Sequence, residues 1–250
     1  MDEALYEEMY QLERHHWWFA AKRCIVLSLL KKFLSPGPSG NHPLRVADVG
    51  CGCGMMLSCL IDHGYDAVGI DSSDLALQFS RSRGVEVVRC EVPGKVDLPS
   101  DSVDAVLMLD VLEHIDDDAA AFISAIELVK PGGIAVCTVP AYSWLWTQRD
   151  GFHHHKRRYG RRRLVETFRA AKSAEIVFVS FMNTFLFPLA LVRRLWEKEF
   201  GRKDKPTDLS IPPLGFNGVL QKVYQAERYL LYRRLLLPFG LSLVGVIRKL

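Results

Sequence analysis

Residues 45–140 alternate short apolar runs with amphipathic ones, and few architectures accept that rhythm. The runs 45–49, 67–70, 85–89, 103–109 and 134–139 read as strands. Between them lie helices from about Gly54 to His63, from Ser72 or Ser73 to Arg83, and from Asp116 to Val129. Gly64 and Gly84 stop the first two, because glycine enters the left-handed conformation that ends a helix. Asp116, Asp117 and Asp118 set acid at the positive end of the third helix's dipole. Pro131-Gly132-Gly133 then turns into the fifth strand. Strand alternating with helix predicts an α/β fold: a doubly wound, mostly parallel sheet with helices on both faces.

The flanks have a different texture. Leu5, Met9 and Leu12, then Ile25, Leu29, Leu30 and Phe33, keep helical spacing over the first thirty-odd residues, around the cluster His15-His16-Trp17-Trp18-Phe19. Ser35-Pro36-Gly37-Pro38-Ser39-Gly40 breaks that segment. Beyond residue 140 the pattern predicts a helix over 161–171, a strand over 176–181 and a last strand over 241–247. Between those strands lies a helical stretch rich in Leu, Arg and Phe, interrupted by Pro206 and Ile211-Pro212-Pro213. The expected organisation is an N-terminal helical lid (1–40), a core (41–182), a helical insertion (183–236) and a last core strand (237–250).

Composition limits the function classes. Apolar residues make up 49% and charged residues 24%, which excludes a disordered or collagen-like chain. Six cysteines, mostly within apolar segments, predict reduced thiols in the cytoplasm and no disulfide scaffold. The opening Met-Asp-Glu-Ala lacks the basic start of a secretory signal. The uncharged apolar run 176–192 contains Asn183, Thr184 and Pro188 and falls short of the ~20 residues a membrane span needs. Charge is divided: residues 1–150 carry 12 Lys+Arg and 22 Asp+Glu, whereas residues 151–250 carry 20 and 7. The basic part expects an anionic partner: a phosphate, a nucleic acid or an anionic membrane surface.

The most informative segment is Val46-Ala47-Asp48-Val49-Gly50-Cys51-Gly52-Cys53-Gly54. A strand runs into three alternating glycines and then a helix, which allows a sharp turn and the close approach of a ligand. A dinucleotide fingerprint would need glycine where Met55 stands. Gly69-Ile70-Asp71 ends the second strand with a carboxylate able to accept from vicinal ribose hydroxyls. Then come Asp97-Leu98-Pro99, Asp110-Val111-Leu112-Glu113-His114-Ile115 and Lys130-Pro131-Gly132-Gly133. In this order the motifs resemble those of class I S-adenosylmethionine-dependent methyltransferases, over about 45–140. The resemblance implies a Rossmann-like sheet of seven strands and S-adenosylmethionine as cofactor. It also implies cofactor contacts from Asp48, Gly50, Cys51, Gly52, Gly54, Asp71, Ser72, Leu109, Asp110 and His114, with Glu91 or Asp97 facing the adenine.

Glu13-Arg14-His15-His16-Trp17-Trp18-Phe19 with Arg23, and Asp150 with His155-Lys156-Arg157-Arg158-Tyr159, look like a bacterial-type subgroup with His-Trp-Trp-Phe and His-x-Arg-Arg-Tyr signatures. Trp17, Trp18 and Phe19 either pack the N-terminal helix onto the core or let it lid the cofactor, with Trp18 or Arg23 facing the sulfonium. His114 and His155 are candidates for removing the acceptor's proton, beside Arg158 and Tyr159; a helix cap and a solvated loop are their plainer roles. No metal site is expected: adjacent histidines 153–155 point apart, and Cys51 and Cys53 are tied into the glycine turn. The expected reaction is methyl transfer, most simply to oxygen, on a small or lipid-linked acceptor. Residues 183–236, where apolar side chains adjoin Arg193, Arg194, Lys198, Arg202, Lys203 and Lys205, would contact the inner face of a membrane or cover the core. Two alternatives remain: an RNA or DNA methyltransferase using the arginine-rich loop, and a non-catalytic cofactor-binding partner protein.

Overall fold

The computed structural model of the chain describes residues 3–34, 42–199, 212 and 215–250. The seven strands are β1 (Arg45–Val49), β2 (Asp66–Asp71), β3 (Glu86–Arg89), β4 (Val103–Leu109), β5 (Val129–Pro140), β6 (Ala174–Met182) and β7 (Ser242–Lys249). They form one sheet in the order β3-β2-β1-β4-β5-β7-β6. The first five strands run parallel, and β7 runs antiparallel to both β5 and β6. The sheet is the expected doubly wound, Rossmann-like one.

Successive residues of a strand point to opposite faces. In β4, Val106 and Met108 enter one core while Ala105 and Leu107 enter the other. In β5, Ala135, Cys137 and Val139 face the first core, and Ile134 and Val136 the second. Strands apolar on both faces must be covered twice. The first face takes α5 (Asp118–Glu127) and α7 (Arg161–Arg169), through Phe122, Ile126, Leu164 and Phe168. The second takes α2 (Trp17–Phe33), α3 (Met55–Asp62) and α9 (Phe216–Tyr232), through Ile25, Leu29, Leu57 and Tyr224.

The N-terminal segment divides in two. After α1 (Glu3–Leu12) the chain turns, and His16 caps α2 by accepting from the Trp18 N–H through Nδ1 at 3.3 Å. Ala21, Ile25, Leu29 and Leu30 have no exposure, so α2 is a core helix and not part of a separate N-terminal segment. Ser73, of the two serines considered, caps α4 (Asp74–Ser82). Val129 opens β5 opposite Val103 and does not end α5, because the Pro131-Gly132-Gly133 turn lies inside the strand as an irregularity in its register. Within the insertion, α8 (Phe187–Glu199) and α9 are helices. The expectations placed on 35–40, Arg202, Lys203, Lys205, Pro206, Ile211 and Pro213 lie outside the described residues. All six cysteines are free thiols. Among the described residues no helix is long and apolar enough to cross a membrane.

Candidate active site

The site lies at the C-terminal ends of β1, β2 and β4. Gly50, Gly52 and Gly54 have φ of 72°, 54° and 79°, a region that favours glycine. A Cβ on Gly50 would lie 2.5 Å from Val111 Cγ2, and one on Gly54 2.6 Å from Ser80 Oγ. The turn therefore excludes side chains on both conformational and steric grounds. Asp71 fixes it: one carboxylate oxygen accepts the Gly52 N–H at 3.0 Å and the other accepts the Ser73 N–H at 2.9 Å. Burial pushes the Asp71 pKa up, against the pull of these amide donors. Asp48, nearly enclosed on β1, is pushed up to about 8 by burial and by the charges of Asp71 and Glu13.

Helix α1 lies over this loop. Met9 Cε is 2.9 Å from where a Gly52 Cβ would be, and the Tyr6 phenol lies beside Ser73 and Asp71. Burial and the Asp71 charge push the Tyr6 pKa up to about 12. Arg83 clamps the helix down, donating to the carbonyls of Cys53 (2.8 Å) and Tyr10 (3.2 Å) and to the Glu13 carboxylate (2.7 Å). Arg23 donates to the carbonyls of Glu13 and Arg14, so it ties the α1–α2 turn and is not brought to the glycine loop.

Leu109 ends β4, and Asp110 follows it in the left-handed region at φ 57°. Asp110 accepts from Lys22 of α2 and from Thr138 Oγ1 at 2.9 Å. Burial opposes its ionisation, but Lys22 and Thr138 hold its pKa below the ordinary value. The Lys22 ammonium sits 3.9 Å from the centre of the Trp18 ring. Trp18 thus reaches the site through Lys22, a residue that sequence reasoning passed over for its neighbour Arg23. Glu91 and Asp97 are both exposed beyond β3.

The second half of the site comes from the loop after β5. Lys156 N–H donates to Glu113 O at 2.7 Å, which brings His155 against His114 with ring centres 4.8 Å apart. Asp150, on the short helix α6 (Gln148–Phe152), organises the loop. It takes His155 Nδ1 at 2.9 Å and both prongs of Arg158 at 2.7 and 2.8 Å. Burial works against the Asp150 charge, but these partners keep its pKa well below the carboxylate range. An ionised carboxylate only accepts, so Nδ1 carries a proton, and in the neutral imidazole the lone pair is on Nε2. Burial and His155 push the His114 pKa down to about 4. Tyr159 does not join them: it has no exposure and donates its hydroxyl to Asp118 at 2.8 Å inside the core. Its expected catalytic role is corrected to a structural one.

Sequence reasoning also missed Glu113. It is fully buried, and neither carboxylate oxygen has a hydrogen-bond partner among the described residues. Burial, then the Asp110 charge, raises its pKa well above the ordinary value. One ligand atom each from Glu113, His114 and His155 lie within 4.8 Å of one another, a set that could hold a metal ion. Spacing along the chain could not reveal it, because the β5 loop supplies the third member.

The arginine run is largely used internally. Lys156 pairs with Asp116, Arg157 and Arg163 with Asp118, Arg158 with Asp150 and Arg162 with Glu166. A nucleic-acid surface needs cations free to meet phosphates; Arg157 and Arg158 are turned inward, and the exposed Lys156, Arg162 and Arg163 are already paired with carboxylates.

Residues 16–182 match the model of a family described as "Methyltransferase domain". Two curated relatives are named ubiquinone biosynthesis O-methyltransferase. That of Alkalilimnicola ehrlichii is 32% identical over 127 residues, 47% of this chain and 51% of the relative. That of Pectobacterium atrosepticum is 31% identical over 107 residues, 40% and 44%. The chain spans about half the length of the curated relatives it matches. Among solved structures, an S-adenosylmethionine-dependent methyltransferase of Thermotoga maritima has a similar fold. Its TM-score is 0.60 at 18% identity, over 99% of this chain and 96% of that one. A geranyl diphosphate methyltransferase solved with S-adenosylmethionine aligns at TM-score 0.58 and 16% identity, over 90% and 85%.

Proposed function

Because the chain belongs to the methyltransferase-domain family, we propose that it moves a methyl group from S-adenosylmethionine to an oxygen of a small or lipid-linked acceptor. One observation carries the reading: the glycine loop fixed by Asp71 shares a sheet edge with a histidine oriented by Asp150. Asp71 holds the ribose, and the loop of Gly50, Cys51, Gly52 and Gly54 accommodates the cofactor's chain over Asp48. Ser72, Leu109, Asp110 and either Glu91 or Asp97 complete the cofactor side, and Lys22 and Trp18 close it. Nε2 of His155 would take the proton of the acceptor hydroxyl as that oxygen is methylated, and S-adenosylmethionine bound at the glycine loop would supply the methyl group. The names of the curated relatives support oxygen as the acceptor atom. Holding the partners in line in a water-poor crevice supplies most of the acceleration.

A second reading rests on the orphaned Glu113 carboxylate. Glu113, His114 and His155 would hold a divalent cation, and bound there it would supply Lewis-acid polarisation of the acceptor hydroxyl. The experiment is incubation with methyl-labelled cofactor and separated soluble, lipid and nucleic-acid extracts, with and without a chelator. Label in the soluble or lipid fraction supports the proposal, and label only in nucleic acid overturns it. Loss of transfer on chelation, restored by added divalent ion, selects the cation reading; transfer indifferent to chelator selects the histidine base. Cofactor binding without transfer to any fraction would make the chain a binding protein.

A further inference from the structure

Among the described residues the sheet ends at β6, which has β7 as its one strand neighbour. An edge strand presents unpaired N–H and C=O groups, and proteins normally cover or blunt it. The second half of this edge is covered. Leu237 N–H donates to Ser180 Oγ at 2.9 Å, and Gly240 packs so close that a Cβ there would lie 2.3 Å from Met182 O. The first half, where a bulge between Ile176 and Phe178 interrupts the register with β7, has no further strand beside it among the described residues. Residues 176–179 floor a groove of about 470 Å³ between α7 and the segment after α9.

The groove has a definite charge. Arg161, Arg169 and Arg234 line it, and no acidic residue does. Arg161 and Arg169 are exposed and form no ion pair among the described residues, unlike Arg157, Arg158, Arg162 and Arg163 of the same region. The floor is anchored: Phe178 is buried in one core and Val179 in the other. A fixed strand edge loses little freedom when a partner strand is added.

We propose that the first half of the β6 edge is a docking site for an extended acidic segment of a partner protein, added to the sheet as a further strand. Backbone groups of 176–179 would give the ladder, and the three arginines would take carboxylates on alternate residues. A second copy of this chain does not suit the edge, because pairing β6 with β6 would bring two sets of arginines together. The groove lies four strands from β1, about 19 Å at ordinary strand spacing, so it is separate from the glycine loop.

The test is fluorescence anisotropy of the full chain with a labelled peptide of about eight residues alternating valine with glutamate. Saturable binding is expected. Arg161→Glu with Arg169→Glu should weaken it at least ~10-fold, and the same double variant should gain affinity for a valine–lysine peptide. N-methylation of the peptide backbone on its ladder edge should abolish binding without altering the protein. S-adenosylmethionine binding measured in parallel should be unchanged, showing that the double variant is folded. The proposal is overturned if the peptide fails to bind, if binding survives N-methylation, or if it ignores the charge reversal. It is equally overturned if an RNA oligonucleotide or an anionic vesicle, and not the peptide, binds through these arginines.

Discussion

Asp71 acts on both the loop and the expected ligand. It holds the Gly52 and Ser73 amides, and under the proposed function it also accepts from ribose hydroxyls. Hydrogen bonds to a charged group are each worth ~1.5–3 kcal/mol, so Asp71→Ala should weaken S-adenosylmethionine at least ~10-fold by titration calorimetry. Asp48 sets a pH dependence. Its folded pKa is about 8, well above the ordinary aspartate value, so between those values the folded chain keeps a proton that the unfolded chain releases. Stability from this group is complete at acid pH and is lost as pH rises towards 8. Asp48→Asn mimics the protonated form, so denaturant melts of wild type should lose at least ~1 kcal/mol relative to the variant between about pH 5 and pH 8. A constant difference would show that Asp48 is ionised throughout. On the acceptor side, His155→Ala should cut turnover ~10²–10⁴-fold with cofactor affinity kept. Arg158→Ala should do the same less severely, because it acts through Asp150; equal loss of cofactor binding in either variant would move them to the cofactor side.

At the scale of elements, α1 is the helix proposed to cover the cofactor loop and α8 the one proposed to meet a membrane surface. Helix α1 is held down by polar ties to the glycine loop and Arg83 and by Tyr10 stacked on Phe79. Helix α8 presents a stripe. Leu189, Val192 and Trp196 are exposed at 59%, 65% and 49%, and Phe185 precedes them in the same period at 47%. Residues four and three apart share one helical face. Such a stripe beside Arg193 suits a helix lying in an anionic interface. The chain should therefore co-sediment with anionic vesicles at low salt and be released by salt, and Leu189→Glu with Val192→Glu should abolish the association. Binding that persists in this variant, or no binding by wild type, would leave α8 as a cover for the acceptor site. Much of this was readable beforehand: the apolar positions and their basic neighbours are local in sequence. Which of them pack inward was not, since α9 covers the core with Tyr224 and Leu231 while Tyr229 and Tyr232 stay outside.

Over the whole molecule, ligand and fold are linked. A ligand that binds only the native state adds ~2.7 kcal/mol at a hundredfold excess over its Kd, which for a domain of this size is a Tm rise of roughly 5–10 °C. S-adenosylmethionine should give that rise in wild type and a smaller one in Asp71→Ala; no rise in wild type would remove the cofactor assignment. The strand–helix alternation, the glycine turn and the carboxylate after β2 were legible in the chain itself, because a strand's period, a helix stop and a left-handed turn are imposed by residues next to one another. What joins distant segments was not. Lys22 meets Asp110, and Glu113 meets His155 through the loop that Asp150 organises, the first pair brought together by the packing of α2 on the sheet and the second by strand order. Tyr159 sits in a motif with His155, yet its side chain turns into the core to Asp118. Local sequence determined the scaffold and the cofactor edge, since short-range sterics and periodicity suffice for them. Only the tertiary structure decided which charges are paired, which carboxylate is left alone and which strand ends the sheet, because those depend on burial and on neighbours that spacing along the chain does not encode.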